Sequence, residues 1–348
     1  MSITQSVFGT MPNGSTVNLY TITQDGISVS ITEYGARITD ICFQGTHVVC
    51  GFNTMEGYLA DKDYHGSIVG RYANRIANAQ FTLHGKTYQL ANNETGRAHL
   101  HGGNVGYSSR IWEKVSATTE DGADLLTLKL RSPDGEEGYP GNLRILVTYM
   151  LKDCALSISY SAVSDADTII NLTNHAYFSL GGVGSTVLDQ TLTLNCQHFV
   201  PVDEKLIPYG TLSHVEDTPF DFRTPKTIGR DIGVKNTQLQ IAGGYDHCFV
   251  RKGGLEQKDP EWIGTLYSPK TNIEMKIFTT EGGIQMYTGN FMTAPNPFFG
   301  TIPQRANEAV ALECNRIPDS PNQKEFPSPL LKARDEYSQT TIYAFQKR

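Results

Sequence analysis

The chain has 348 residues, with 29 Lys and Arg against 36 Asp and Glu, so its net charge is 29 − 36 = −7. That balance, with no block of like charges, excludes nucleic acid and anionic membranes as main partners, because both reward clustered positive charge. Hydrophobic residues at 39%, charged residues at 19% and 33 glycines exclude a disordered chain and describe a turn-rich globular one.

Residues 1–9 lack the basic and apolar regions of a signal peptide, so none is expected. No apolar run approaches the roughly 18 residues of a membrane span. Six scattered cysteines without a Cys-x-x-Cys spacing are expected as reduced, buried thiols in the cytoplasm. The dominant hydrophobic period is two. Ile27, Val29 and Ile31 alternate with serines behind Asp25-Gly26, a hairpin signal. A turn or two of helix is expected over 55–62. Residues 80–90 read as strand, His84-Gly85 turn, strand. A strand over 125–130 follows Asp121-Gly122. Strands over 143–151 and 156–160 flank Lys152-Asp153, strands over 265–268 and 273–278 flank 269–272, and 337–345 is the last strand. The stretches 251–261, 293–302 and 317–329 read as loops. There is no βαβ rhythm and no Gly-rich phosphate loop, which excludes a dinucleotide fold. The expectation is an all-β chain, a large antiparallel β-sandwich in a single domain over 1–348.

Chemistry-bearing residues gather in turn-like segments between these strands, a common place for function. Glu313 lies in Ala309-Val-Ala-Leu-Glu-Cys314, a buried strand pattern. Desolvation raises a carboxyl pKa there, which suits a general base; a structural carboxylate paired with Arg316 is the alternative. His175, in Asn171-Leu-Thr-Asn-His-Ala-Tyr177, is either a proton shuttle or a core histidine bonded to backbone. His99 and His101 have the i, i+2 spacing of a metal pair on a strand, but no third ligand follows nearby. Arg71, Asn74 and Arg75 offer donors to sugar hydroxyls, or form an ion-paired loop. Asp246, after Gly243-Gly244, is an Asx-turn former or an acceptor for vicinal hydroxyls.

Taken together, Gly70-Arg-Tyr-Ala-Asn-Arg-Ile-Ala77, Leu100-His-Gly-Gly103, Asn171-Leu-Thr-Asn-His-Ala-Tyr-Phe178, Gly244-Tyr-Asp-His247, Gln285-Met-Tyr-Thr-Gly-Asn-Phe291 and Leu312-Glu-Cys314 resemble the aldose 1-epimerases, the galactose mutarotases. Phe199-Val-Pro-Val-Asp203, Phe220-Asp-Phe-Arg223 and Asp319-Ser-Pro-Asn322 extend the resemblance over nearly the whole chain. It implies a β-sandwich with a sugar cleft on one face, Glu313 as general base and His175 as general acid. It further implies substrate-binding roles for Asn74, Arg75, His101, Asp246 and Gln285, with Tyr177 lining the cleft. It implies no metal and no cofactor. Ser179 departs from the Asn common in the family, and the 293–302 loop, which varies there, is expected to bear on substrate range. The expected reaction interconverts the anomers of hexoses such as galactose and glucose. Glu313, ionised, takes the C1 hydroxyl proton and His175, protonated, gives one to the ring oxygen, the opposite charges holding each other in their working states. A small sugar is the expected partner, and the protein a monomer or homodimer. The rival readings are a non-catalytic carbohydrate-binding sandwich, a metal-dependent isomerase built on His99 and His101, and an epimerase of hexose 6-phosphates.

Overall fold

Two-residue turns organise the chain into hairpins. The computed structural model describes residues 2–94, 96–251 and 256–348. Gly26 has φ +79° between strands Thr16–Gln24 and Ile27–Thr32, and His84 and Gly85 have φ +51° and +77° between Gln80–Leu83 and Lys86–Gln89. Positive φ at both turn positions matches the right-handed twist of the flanking strands. Asp121 and Gly122 do the same before Ala123–Ser132. The next hairpin turns one residue later than its sequence suggests. Lys152 pairs with Ala155, so Asp153 and Cys154, both at positive φ, make the turn.

These hairpins assemble into three main antiparallel sheets. The largest has nine strands in the spatial order Glu113–Glu120, Ala123–Ser132, Leu143–Lys152, Ala155–Ser164, Glu336–Lys347, Ile273–Thr279, Glu261–Ser268, Thr191–Leu194 and Lys226–Thr227. A five-stranded sheet runs consecutively from Ser2–Thr10 to Thr46–His47. A six-stranded sheet holds Tyr177–Phe178, Val310–Asn315, Gly283–Tyr287, Asp246–Val250, His198–Phe199 and Ser213–His214 in that order. One apolar core joins all three. Val29 and Ile38 enter it from the five-stranded sheet, Leu126 and Ile277 from the nine-stranded sheet, and Met286 and Leu312 from the six-stranded sheet. Tyr343 Oη, on the nine-stranded sheet, donates to the Leu312 carbonyl at 3.2 Å, and its ring lies 4.9 Å from Phe178. The sandwich expected from the alternation is present.

Helices are short. Met55–Ala60 is capped by Thr54, whose hydroxyl accepts from Gly57 N–H, and it ends two residues before the expected limit of 62. Thr237–Ala242 is a second helix, which the residue pattern does not predict. Its six residues are too few to show a period, yet Asn236 caps its start and Gly243, at φ +66°, ends it. Of the three expected loops, 251–261 lies partly outside the described residues, at 252–255. The 293–302 loop folds back on the body and buries Phe298 beside Phe52.

Candidate active site

The pleat of the six-stranded sheet builds the floor of a cleft. Glu313 pairs with Gln285, Gln285 with Cys248, and Asp246 with Tyr287. Residues directly opposite share a face, and residues two apart return to it. Glu313, Gln285, Asp246 and Tyr287 therefore point one way, while Leu312, Met286, Ile284 and Phe249 point into the apolar core. A one-residue slip would exchange the two sets, so core burial fixes the register that presents the site.

His175 arrives from a separate segment. The Thr173–Asn174 strand pairs with Ile68–Val69, and His175 N–H donates to the Ser67 carbonyl at 2.8 Å, while Gly66 N–H donates to the His175 carbonyl at 2.9 Å. This places His175 Nε2 3.5 Å from Glu313 Oε1, with both side chains almost wholly buried. His175 Nδ1 and Glu313 Oε2 have no hydrogen-bond partner among the described residues. The imidazole is bordered by Tyr177, His101 and Tyr64, at ring separations of 4.9, 5.2 and 6.0 Å.

The Gly70–Ala77 segment supplies one wall. Arg71 is buried and structural: it donates to Pro140 O at 2.7 Å and Ser132 Oγ at 2.6 Å. Asn74, at φ +64°, turns the chain so that Asn74 and Arg75 reach the cleft. Arg75 donates twice to Glu94, both bonds 2.8 Å, and lies 3.8 Å from Asp246. Asp246 in turn accepts from Gln285 Nε2 at 2.6 Å. The cleft encloses about 430 Å³ and is lined by Asn74, Arg75, His101, His175, Tyr177, Asp246 and Glu313. Gln285 is not among the residues lining it, but borders a small adjoining hollow with Asn74, Arg75 and Asp246, and its Oε1 is buried without a partner among the described residues. Glu94, Tyr64, Tyr287 and Phe291 also line the cleft, beyond the residues expected from the sequence. Tyr287 was readable two residues after Gln285, on the same side of the pleat. Glu94 sits in a loop with no pattern, and Tyr64 reaches the cleft through a positive φ of +60° that its sequence does not announce. No residue of 293–302 lines the cleft.

Burial dominates the electrostatics. Desolvation, reinforced by the charge of Asp246 and opposed by Arg75, pushes the Glu313 carboxyl well above its usual range. Desolvation, with a smaller contribution from His65, pulls His175 down to about 3. In the sugar-free cleft both groups thus favour the neutral form, which runs against the expected ion pair. The proton count is nevertheless the same: a neutral carboxyl beside a neutral imidazole and a carboxylate beside an imidazolium both hold one proton between them. Burial also lowers His101 and raises Asp246, the latter opposed by Arg75 and Gln285. For Arg75 burial works downward, but the bonds to Glu94 and the charge of Asp246 outweigh it and the guanidinium is held more firmly protonated.

The paired-histidine metal reading fails on geometry. The strand Ala98–Leu100 ends before His101, whose φ is +49°, so the i, i+2 rule does not carry across. His99 is committed at both nitrogens: Nδ1 donates to the Ala91 carbonyl at 2.7 Å and Nε2 accepts from Tyr139 Oη at 2.7 Å. His101, His175 and Glu313 do bring ligand atoms within 4.8 Å of one another. Yet His101 Nδ1 accepts from Asn74 N–H at 3.1 Å, so in the neutral ring the proton sits on Nε2 and leaves no lone pair there for a metal. The cleft thus presents a buried carboxyl–imidazole pair ringed by polar side chains.

The family model described as aldose 1-epimerase matches residues 18–344. A galactose mutarotase of Bos taurus is 38% identical over 352 aligned residues, covering 99% of each chain. An aldose 1-epimerase of Escherichia coli K12 is 34% identical, covering 96% of each. Among solved structures, a galactose 1-epimerase from Lactobacillus acidophilus superposes with a TM-score of 0.87 at 26% identity, covering 99% of both chains. An aldose epimerase homologue from C. elegans gives 0.84 at 30% identity, covering 95% of this chain and 99% of the other.

Proposed function

The chain belongs to the aldose 1-epimerase family and is an isomerase acting on sugars; we propose that it interconverts the α and β anomers of galactose and glucose through Glu313 and His175. The observation that carries this assignment is the 3.5 Å approach of a carboxyl and an imidazole at the bottom of a cleft, each with one polar atom left unpartnered among the described residues. Mutarotation needs one base and one acid. The base removes the C1 hydroxyl proton as the C1–O5 bond breaks, and the acid protonates O5, giving the open-chain aldehyde. The C1–C2 bond rotates, and closure reverses the two transfers. A raised carboxyl pKa makes the Glu313 carboxylate a stronger base, and a lowered imidazole pKa makes the His175 imidazolium a stronger acid. The reactive arrangement is the ionised one, reached by moving the shared proton from Glu313 to His175.

Around this pair, Arg75 and the Nε2–H of His101 are donors for charge developing on the ring oxygen. Asp246 accepts from far hydroxyls, with Gln285 and Arg75 holding its orientation, and Asn74 and Tyr177 complete the binding surface. Neutral sugars fit the charge of the cleft better than phosphorylated ones. Its walls carry Lys62, Arg75 and Arg97 against Asp63, Glu94, Glu204, Asp246 and Glu313, and Arg75 is already paired. A non-catalytic binding module would not need the buried Glu313–His175 pair, whose ionisable groups are costly to bury. No described helix is long and apolar enough to cross a membrane. All six cysteines are unpaired, the usual state of thiols in a reducing compartment, and the proposal extends to a cytoplasmic protein working as one domain over 1–348, as a monomer or homodimer. Polarimetry on freshly dissolved α-D-galactose and α-D-glucose, against an enzyme-free control, tests the reading. Acceleration abolished by Glu313→Gln supports it; no acceleration from folded protein overturns it.

A further inference from the structure

We propose that a second cleft, lined by Arg131, Arg144 and Arg334, binds a phosphate group, either free or as the monoester of a small molecule. It lies at one end of the nine-stranded sheet, is an open hollow of about 640 Å³, and shares no lining residue with the catalytic cleft. Arg131 and Arg144 are directly opposite each other on adjacent antiparallel strands. Like charges so placed repel, and a sheet gains nothing from them unless an anion sits between. Arg334 reaches the same cleft from the loop before Glu336–Lys347, with φ +70° and its backbone N–H fixed to the Ser164 carbonyl at 2.8 Å. A side chain of this size seldom adopts that backbone region.

None of the three guanidinium groups has a hydrogen-bond or ion-pair partner among the described residues. The chain's other arginines, except Arg97 in the catalytic cleft, each hold a carboxylate, carbonyl or hydroxyl. Apart from Arg97, the unpartnered arginines among the described residues are these three, all exposed and all lining this one cleft, on a protein whose net charge is −7. The single carboxylate on the walls, Asp165, is turned toward Asn142, accepting from its backbone N–H at 2.8 Å and its side-chain amide at 2.7 Å. Planar guanidinium groups give bidentate, charge-assisted bonds to phosphate oxygens, and several such donors are what a phosphate dianion needs. The negative charge of the molecule as a whole opposes a long polyanion such as nucleic acid, whereas a single phosphate bears only the local field.

Isothermal titration of the full-length protein with inorganic phosphate, and separately with a hexose 6-phosphate, tests the site at constant ionic strength set with chloride. Saturable binding with a Kd of about 1 mM or tighter is expected. Arg131→Gln/Arg144→Gln should weaken it at least tenfold, and Arg334→Gln should weaken it too, with galactose turnover unchanged in all. Equal affinity for both probes identifies free phosphate as the ligand; tighter binding of the ester identifies a phosphorylated metabolite. Removing the arginine repulsion should leave the ligand-free variants at least as stable as the wild type, so weakened binding cannot be ascribed to unfolding. Absence of saturable binding, or binding that persists undiminished in the double variant, overturns the proposal.

Discussion

The backbone N–H of Asn74 donates to Nδ1 of His101 at 3.1 Å, and the N–H of His101 returns a bond to the Asn74 carbonyl at 3.2 Å. This reciprocal pair sets the His101 tautomer and turns an Nε2–H donor toward the cleft. His99, two residues earlier, spends both nitrogens inside the protein. The two histidines should therefore separate cleanly. His101→Asn should lower kcat by about 10²-fold or more with little change in Tm, as loss of a charge-stabilising donor does. His99→Gln should lower Tm while kcat/KM per folded molecule stays near wild type. A chelator should leave both proteins' rates unchanged. Loss of turnover in His99→Gln without loss of stability would contradict the division of labour.

Glu313→Gln and His175→Asn should each cost at least about 10²-fold in kcat. Because the two groups share one proton, their losses should not add: the double variant should be little slower than the worse single one. Saturation kinetics by polarimetry, with circular dichroism confirming the fold, checks both points.

Gln285 acts through Asp246, so its replacement should reproduce a weaker version of the Asp246 defect. Gln285→Leu removes the 2.6 Å donor and leaves the buried carboxylate less well held. A raised KM, smaller than that of Asp246→Asn, is expected. If Gln285→Leu proved worse than Asp246→Asn, Gln285 would have to touch the sugar itself.

Arg75 contributes through two parallel bonds to Glu94 as well as through its charge. Arg75→Ala should weaken binding and turnover together. Arg75→Lys should rescue little, because an ammonium cannot reproduce the bidentate geometry. Glu94→Gln should give an intermediate loss by loosening the guanidinium. Near-normal kinetics in Arg75→Lys would show that charge alone suffices.

The residue order gives part of this arrangement: 309–314 reads as a buried strand, but Asp246 reads as part of a turn between strands. The structure puts Asp246, Gln285 and Glu313 on adjacent strands, Asp246–Val250, Gly283–Tyr287 and Val310–Asn315, whose pleat turns all three to one face. That is why Glu313, Asp246 and Gln285 come together. The division between touching and supporting the cleft is not legible, since Asp246 and Gln285 share a face and differ only in depth. Nor is the contribution of Glu94 or Tyr64, which depends on loop paths set by tertiary contacts. The His99–His101 spacing is ligand-like only where strand periodicity holds, and the strand ends at Leu100.

Stability should fall on the acid side for a reason visible in the buried histidines. Burial pulls His99 down to about 4 and both His175 and His247 to about 3. In the unfolded chain each would protonate near pH 6.5. Below that pH the unfolded state binds protons that the folded state refuses, so stability present above pH 6.5 is lost progressively as pH falls toward 3–4. Glu281 has the opposite slope: burial raises it to about 7, so its share is lost as pH rises from the usual carboxyl range toward 7. At pH 5, His247 alone accounts for about 2 kcal/mol of the acid-side loss, being about 1.5 pH units below its unfolded value. Urea unfolding at pH 7.5 and pH 5 should show that drop in the wild type and a shallower one, by about 2 kcal/mol, in His247→Gln, whatever the variant's baseline. An identical drop in both proteins would mean that His247 is already charged when folded, which its buried, unpartnered Nε2 argues against.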